Sequence, residues 1–338
     1  MSRALGSACA AVVALLVALT ATLAQSPANS AFTASTANAA NRADSGSVAP
    51  VTGLTATPRC GGAPPTHQAS TYDTASSGST TVRLTVPAGT QAGDLVLVHV
   101  ERNSTTAPTA PAGFSLVRSD TATGIGSWVY QKVATATDTG TAYTWAVSGS
   151  AGSGVLSTYR GAAGISSSTE TAGQALSTNS NTAEMPSVTA GVPNSLLVFL
   201  ISAQAGTASS TSPGVMTRVY ATVSRDHAFY GFTEVRTATG PTGTRVANLS
   251  ATSPLAVVAL LLRPAAQVDV AWTASASTIA SGYEVRRDGA LVTTLTGRTT
   301  TTWTDSPAPA GSHTWTVTAT SGYTWRSTAV PATATLSC

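Results

Sequence analysis

The sequence predicts an all-β protein in which one sandwich is interrupted near its start by a larger, internally duplicated one. Three observations carry this. After about residue 47 the chain is a succession of short β-type runs separated by turn residues; an ordered set of apolar positions recurs at a near-constant offset; and one strand pattern stands far upstream of the sandwich it completes.

Of the 338 residues, 42% are apolar and 9% charged, enough to bury a core with little charge left for the surface. Thr, Ser, Ala and Gly take the place of charge, a composition of extracellular style rather than of disorder. The net charge is +3, the basic residues are thinly spread, and Lys132 is the only lysine. No basic stripe with interleaved aromatics occurs, so no nucleic-acid partner is expected. The preference for Arg over Lys, with abundant Ala and Gly, fits a GC-rich bacterial genome.

Arg3 and the apolar run Ala8 to Ala24 read as a signal peptide over residues 1–31, with small residues Ala24, Ala28, Ser30 and Ala31 as cleavage points. An uncleaved signal anchor is the alternative, and it is the one route to a membrane. Residues 32–48 are rich in Ala, Asn, Ser and Thr and read as a flexible leader. Cys9 lies in the signal segment, which leaves Cys60 and Cys338 as an even pair in an oxidising compartment, expected to form one disulfide.

The first strand pattern falls at 49–60, and Gly61, Gly62, Pro64 and Pro65 break it. Between 65 and 264, Val82 to Val86 alternates with period two, whereas Leu95 to Val100 is apolar throughout except for His99, as in a strand buried on both faces. Trp128 to Val133 and Tyr143 to Val147 are aromatic and β-branched. Phe114, Trp128, Tyr130 and Val133 recur as Met216, Tyr230, Phe232 and Val235, about 102 positions on. Such a series implies a duplicated strand set, either two halves of one jelly-roll-like sandwich or two small sandwiches.

Three resemblances add to this. Ser30 to Asn38 resembles the segment after the signal in camelysin-type exported surface proteins. Val86-Pro87-Ala88-Gly89 through Asp94-Leu95, followed by Pro111-Ala112-Gly113-Phe114, resembles β-sandwich modules of bacterial secreted and phage-tail surface proteins. Residues 267–338, with Trp272 in Val-Asp-Val-Ala-Trp, Tyr283 in Gly-Tyr-Glu-Val, and Trp315 where that family usually has Tyr, resemble a fibronectin type III module. The resemblance implies a sandwich, with the tyrosine-corner bond in question. Its first strand is missing before Val268, but Ala49 to Thr57, Ala-Pro-Val-Thr-Gly-Leu-Thr-Ala-Thr, resembles the opening of such modules. The expected architecture is therefore a fibronectin III-like sandwich made of 49–60 and 267–338, with the duplicated sandwich at 65–264 inserted between its first two strands; a first strand belonging to the insert is the alternative. The host fold would then bring Cys60 to Cys338.

Catalytic patterns are scarce. There is no Gly-x-Ser-x-Gly elbow, His-Glu-x-x-His, phosphate loop or zinc-spaced Cys pair, so neither cofactor nor metal is expected. Glycoside hydrolysis needs only two carboxylates about 5 to 10 Å apart, and Asp94, Glu101, Asp120, Glu170, Glu184, Asp226 and Glu234 are the acids considered. Asp94 and Asp120 read as turn residues, and Glu101 and Glu234 as solvated positions at strand ends. His67, His99, His227 and His313 are far apart, with His99 and His313 read as structural. Ligand-binding candidates are Arg225, Asp226, His227 and Tyr230, where charge and aromatics concentrate at a turn, and Tyr323 and Trp325 in a loop near the C-terminal end; the plain alternative for the first group is a charged hairpin leading into a core strand. The expected role is a non-catalytic structural or adhesive protein of the bacterial exterior, acting on an extracellular protein or glycan. A carbohydrate-binding accessory protein is the alternative.

Overall fold

The computed structural model describes residues 47–73, 80–147, 152–165, 167–206, 209–224, 226–309, 311–322 and 325–336. The signal peptide and nearly all of the leader, together with Arg225, Tyr323 and Cys338, lie outside the described residues.

The first strand, β1, spans Thr52–Arg59. There follow β2 (Thr66–Tyr72), β3 (Thr81–Thr85), β4 (Leu95–Arg102), β5 (Ser115–Ala122), β6 (Ile125–Val133), β7 (Ala142–Ala146) and β8 (Gly152–Arg160). After the 3-10 turn Ser168–Glu170 come β9 (Thr171–Met185), β10 (Thr189–Ala190), β11 (Ser195–Ala203), β12 (Thr217–Ser224), β13 (His227–Arg236), β14 (Gly240–Pro241) and β15 (Arg245–Leu262). The chain ends with β16 (Gln267–Thr273), β17 (Ala280–Arg287), β18 (Ala290–Thr296), β19 (Thr302–Asp305), β20 (Gly311–Ser321) and β21 (Val330–Leu336). The protein is all-β, built from antiparallel sheets packed as sandwiches.

One sandwich joins β1 to the last six strands, β16 to β21. Its sheets are β1-β16-β19 and β18-β17-β20-β21. β1 runs antiparallel to β16 from Thr52 opposite Thr273 to Arg59 opposite Gln267, so strands some 210 positions apart are hydrogen-bonded neighbours. Alternation explains the two faces. Tyr283 and Val285 of β17 and Trp315, Val317 and Ala319 of β20 turn inward with Val268, Val270 and Trp272, and Val48 and Val51 close the same core from the N-terminal side. Trp272 meets Tyr283 edge-on at 5.2 Å. The Tyr283 hydroxyl donates to the Arg298 carbonyl at 2.6 Å, and the Trp315 indole N–H donates to Asp305 at 2.9 Å. These two buried polar tips thus have partners.

Between Arg59 and Gln267 the chain builds the same arrangement twice. β2 pairs with β8, β3 with β7 and β4 with β6; then β9 pairs with β15, β10 with β14 and β11 with β13. First meets last in a nested order, as in a rolled-up hairpin. The large sheets have orders β2-β8-β4-β6-β5 and β9-β15-β11-β13-β12, which match strand for strand. The registers match too: Leu95 faces Val133 and Tyr159, while Leu196 faces Val235 and Leu262. Even the edge bulge is repeated, between Leu116 and Arg118 in β5 and between Arg218 and Tyr220 in β12. A bulge twists and kinks an exposed edge, which hinders its pairing with other chains.

Each copy has its own core, one around Trp128, Tyr130 and Trp145, the other around Phe199, Tyr230 and Phe232. A third core lies between the two large sheets, where Leu95 and Leu97 meet Leu196, Val198, Leu200 and Phe229. Of the two arrangements left open by the sequence, the structure has two small sandwiches packed back to back through their large sheets. This is why β4 and β11 are apolar without alternation: Val96, Val98 and Val100 serve one core, Leu95 and Leu97 the other. Contacts between the large sheets pair β2 with β12, β8 with β13, β6 with β15 and β5 with β9. That pattern is a local two-fold relation with β4 and β11 at its centre, the geometry of a symmetric dimer within one chain.

Candidate functional site

Two groups of polar residues stand out, one sealed and one open. The sealed group begins at the β12–β13 hairpin, where Asp226 takes the left-handed conformation (φ 67°) and is exposed. β13 then alternates, sending His227 and Phe229 toward the facing sheet and Tyr230 into the core of its own copy. His227 and Tyr230 are 1% and 2% exposed. The binding surface expected from Asp226, His227 and Tyr230 together is therefore corrected: Asp226 sits in the turn and faces solvent, while His227 and Tyr230, three positions apart in β13, face opposite sides of the strand, one the inter-sheet layer and the other a core. Arg225 lies outside the described residues.

In the inter-sheet layer His227 Nε2 is 3.0 Å from Asn103 Oδ1 and 4.0 Å from Glu101 Oε1. Glu101 is fully buried. It lies opposite Ser127 of β6 and Ser153 of β8 and approaches Ser202 and Gln204 of the second copy. Burial pushes its carboxyl up to about 8, with hydrogen bonding from Ser202 and Gln204 pulling the other way. The expectation that Glu101 is a solvated strand end is corrected, since the second copy covers it. On the same face His99 bonds Ser127 Oγ at 2.9 Å and stands edge-on to Phe229 at 5.5 Å. Burial pushes this imidazole down to about 3. At neutral pH the layer therefore holds a neutral carboxylic acid and a neutral imidazole. An acid beside a histidine could exchange a proton, but no substrate reaches residues this enclosed, so the arrangement specifies how the sheets meet.

Most of the other acids are held by cations. Asp94 takes Arg160, Asp120 takes Arg118, Glu170 takes Arg263 at 2.8 Å, and Glu234 takes Arg236 and Arg245. Asp138 accepts from Lys132 at 2.5 Å and also from Tyr143. Among the described residues no group of three or more His, Cys, Asp or Glu is arranged to hold a metal ion.

The open group lies on the terminal sandwich. Trp325, in the loop between β20 and β21, is 45% exposed. Its carbonyl accepts from Ser321 N–H at 3.0 Å, and the neighbouring Arg326 bridges to Thr320. Arg326 donates to Glu284 Oε1 at 3.0 and 2.5 Å, and Arg286 reaches Glu284 Oε2 at 3.4 Å. The Arg326 hydrogen bond, with Arg286 behind it, holds the Glu284 carboxyl below its ordinary range. The ladder pins the loop to the outer face of β17 and leaves the indole outside. Tyr323 lies outside the described residues. Sequence reasoning singled out Trp325 but missed Glu284, Arg286 and Arg326; the signal was the alternation around inward-facing Val285, which puts Glu284 and Arg286 on one outer face. Cys60 follows β1 directly, at the point where the chain leaves the terminal sandwich.

A comparison with protein-family models finds none that matches the chain, and a comparison with curated proteins finds no significant match.

Proposed function

We propose that the protein is an exported, non-catalytic interaction protein of the bacterial exterior, an adhesive or matrix component whose contact site is the Trp325 loop. The observation that carries this is the exposed indole held beside an Arg326–Glu284–Arg286 ladder. Aromatic residues and arginine dominate the binding energy of protein contact sites, and a loop fixed before binding loses little entropy on contact.

In this reading the terminal sandwich is fibronectin type III-like and split. Its strand order, β1-β16-β19 against β18-β17-β20-β21, supports that reading, as does the burial of Trp272 and Tyr283 in one core. Cys60 directly follows β1, where the chain leaves the host sandwich, which supports a disulfide clasp to Cys338 closing the host around its insert. Export rests on the apolar N-terminal run.

The second reading is a carbohydrate-binding accessory protein, favoured by the same indole, since aromatic faces also stack on sugars. Binding of the full chain to insoluble polysaccharides, arrayed glycans and surface proteins separates the two. Saturable binding to a protein, lost in Trp325→Ala, supports the first; loss of glycan binding in that variant supports the second; binding indifferent to Trp325 sinks both. Turnover of a glycan abolished by one acidic substitution would replace them with a hydrolase.

A further inference from the structure

A cleft of about 620 Å³ lies where the terminal sandwich meets the insert. Val133, at the end of β6, and Ala163 form part of one wall, Pro307 and Ala308 part of the other, and Ala266 of the returning chain lies between them. The walls are joined by backbone hydrogen bonds, from Ala308 N–H to the Ala266 carbonyl at 2.8 Å and from Ala163 N–H to the Arg263 carbonyl at 2.8 Å. Apart from one residue the lining is alanine, glycine, proline and Val133, side chains too short to fill the space. Val133 is 55% exposed there.

The exception is Arg287, at the end of β17. Its Nη1 donates to Asp305 Oδ2 at 2.7 Å, a carboxylate oxygen that also accepts the Trp315 indole N–H. Among the described residues no other acceptor takes the guanidinium, so Nε and Nη2 keep unused donors toward them. Asp305 is buried and does not line the cleft. A molecule in the cleft therefore meets apolar walls and one cation. The volume is that of small-ligand sites, which favour such junctions between packed units.

We propose that this cleft binds an elongated apolar molecule with a single anionic end, the chain against Val133, Ala163, Pro307 and Ala308 and the anion on Arg287. A carboxylate or sulfonate suits the free edge of the guanidinium, and a charged hydrogen bond in a partly desolvated site is among the stronger ones.

The test is calorimetric titration of the full chain with decanoate, decan-1-ol and decyltrimethylammonium, below their aggregation limits. The proposal expects one saturable decanoate site, about tenfold weaker binding of decan-1-ol and of decanoate to Arg287→Gln, and none for the cation. Ala163→Phe should abolish binding. Gly164→Leu, whose new Cβ would make only ordinary contact with Gln131, is a second closing variant, with thermal melts showing which variants fold. Absence of saturable decanoate binding, equal binding of decanoate and decan-1-ol, or undiminished binding by a folded closing variant would overturn it. Trp325→Ala should bind decanoate as the parent does, so the outcome is separate from the fate of the Trp325 reading.

Discussion

His227 Nε2 lies 4.0 Å from Glu101 Oε1, and the two residues belong to different copies of the duplicated unit. The contact places titratable groups where two apolar sheets meet, and burial decides how each group titrates.

The folded chain keeps a proton on Glu101 up to about pH 8, whereas an unfolded chain releases it above 4.5. This costs stability as pH rises between those values. The folded chain leaves His99 neutral down to about pH 3, whereas an unfolded chain protonates it below 6.5. This costs stability as pH falls between those values. The two slopes cancel between 4.5 and 6.5. From these two groups alone stability should be flat there and fall at up to about 1.4 kcal/mol per pH unit on either side, with the imidazole of His67, lowered by burial, tilting the window toward loss at acid pH. The ion-paired carboxyl of Glu284, held low by Arg326, adds to the acid limb. Urea midpoints measured from pH 3 to 9 check this, and Glu101→Gln should remove the alkaline limb. A variant that keeps it would show that another group is responsible.

Gly282 of β17 faces the Leu295 carbonyl so closely that an added Cβ would stand 2.2 Å from that oxygen. Backbone on the paired strand cannot step aside as a flexible side chain can. Gly282→Ala should destabilise the terminal sandwich by about 2 kcal/mol or more, read as a drop in the thermal midpoint.

Tyr283→Phe keeps the ring against Trp272 but leaves the Arg298 carbonyl without its hydroxyl donor. The expected loss is about 1 to 2 kcal/mol. An unchanged denaturant midpoint would show that water replaces the hydroxyl.

The Arg326 side chain is exposed, so Arg326→Ala should leave stability nearly unchanged. Its effect should appear instead in partner or glycan binding, weakened alongside Trp325→Ala because the loop loses its anchor. Equal binding by Arg326→Ala and the parent would separate the ladder from recognition.

Much of this architecture can be read from side-chain periodicity. Leu95 to Val100 announces a strand covered on both faces, and the series from Phe114 to Val133 repeated at Met216 to Val235 announces two copies. The same alignment places Tyr230 in a core, since it stands where Trp128 stands. What covers the second face of β4 is another matter, because an apolar run does not name its partner. Glu101 shows the consequence: a lone acid at a strand end reads as solvated, and only the opposing sheet, about a hundred residues away, encloses it. Glu101 and His99 are two apart and so share a face, which was the one local hint. The Arg287 cleft had no local signal, because its walls are ordinary small residues from segments that meet only after folding.

The central claim is that the chain leaves one sandwich after β1 and returns to it at β16, with Cys60 and Cys338 clasping the ends. Peptide mapping of the full protein under non-reducing conditions, with free thiols blocked beforehand, tests it most directly. The account predicts a cross-linked peptide pair joining Cys60 to Cys338 that separates on reduction. Blocked Cys60, or Cys60 joined to any other cysteine, would contradict it.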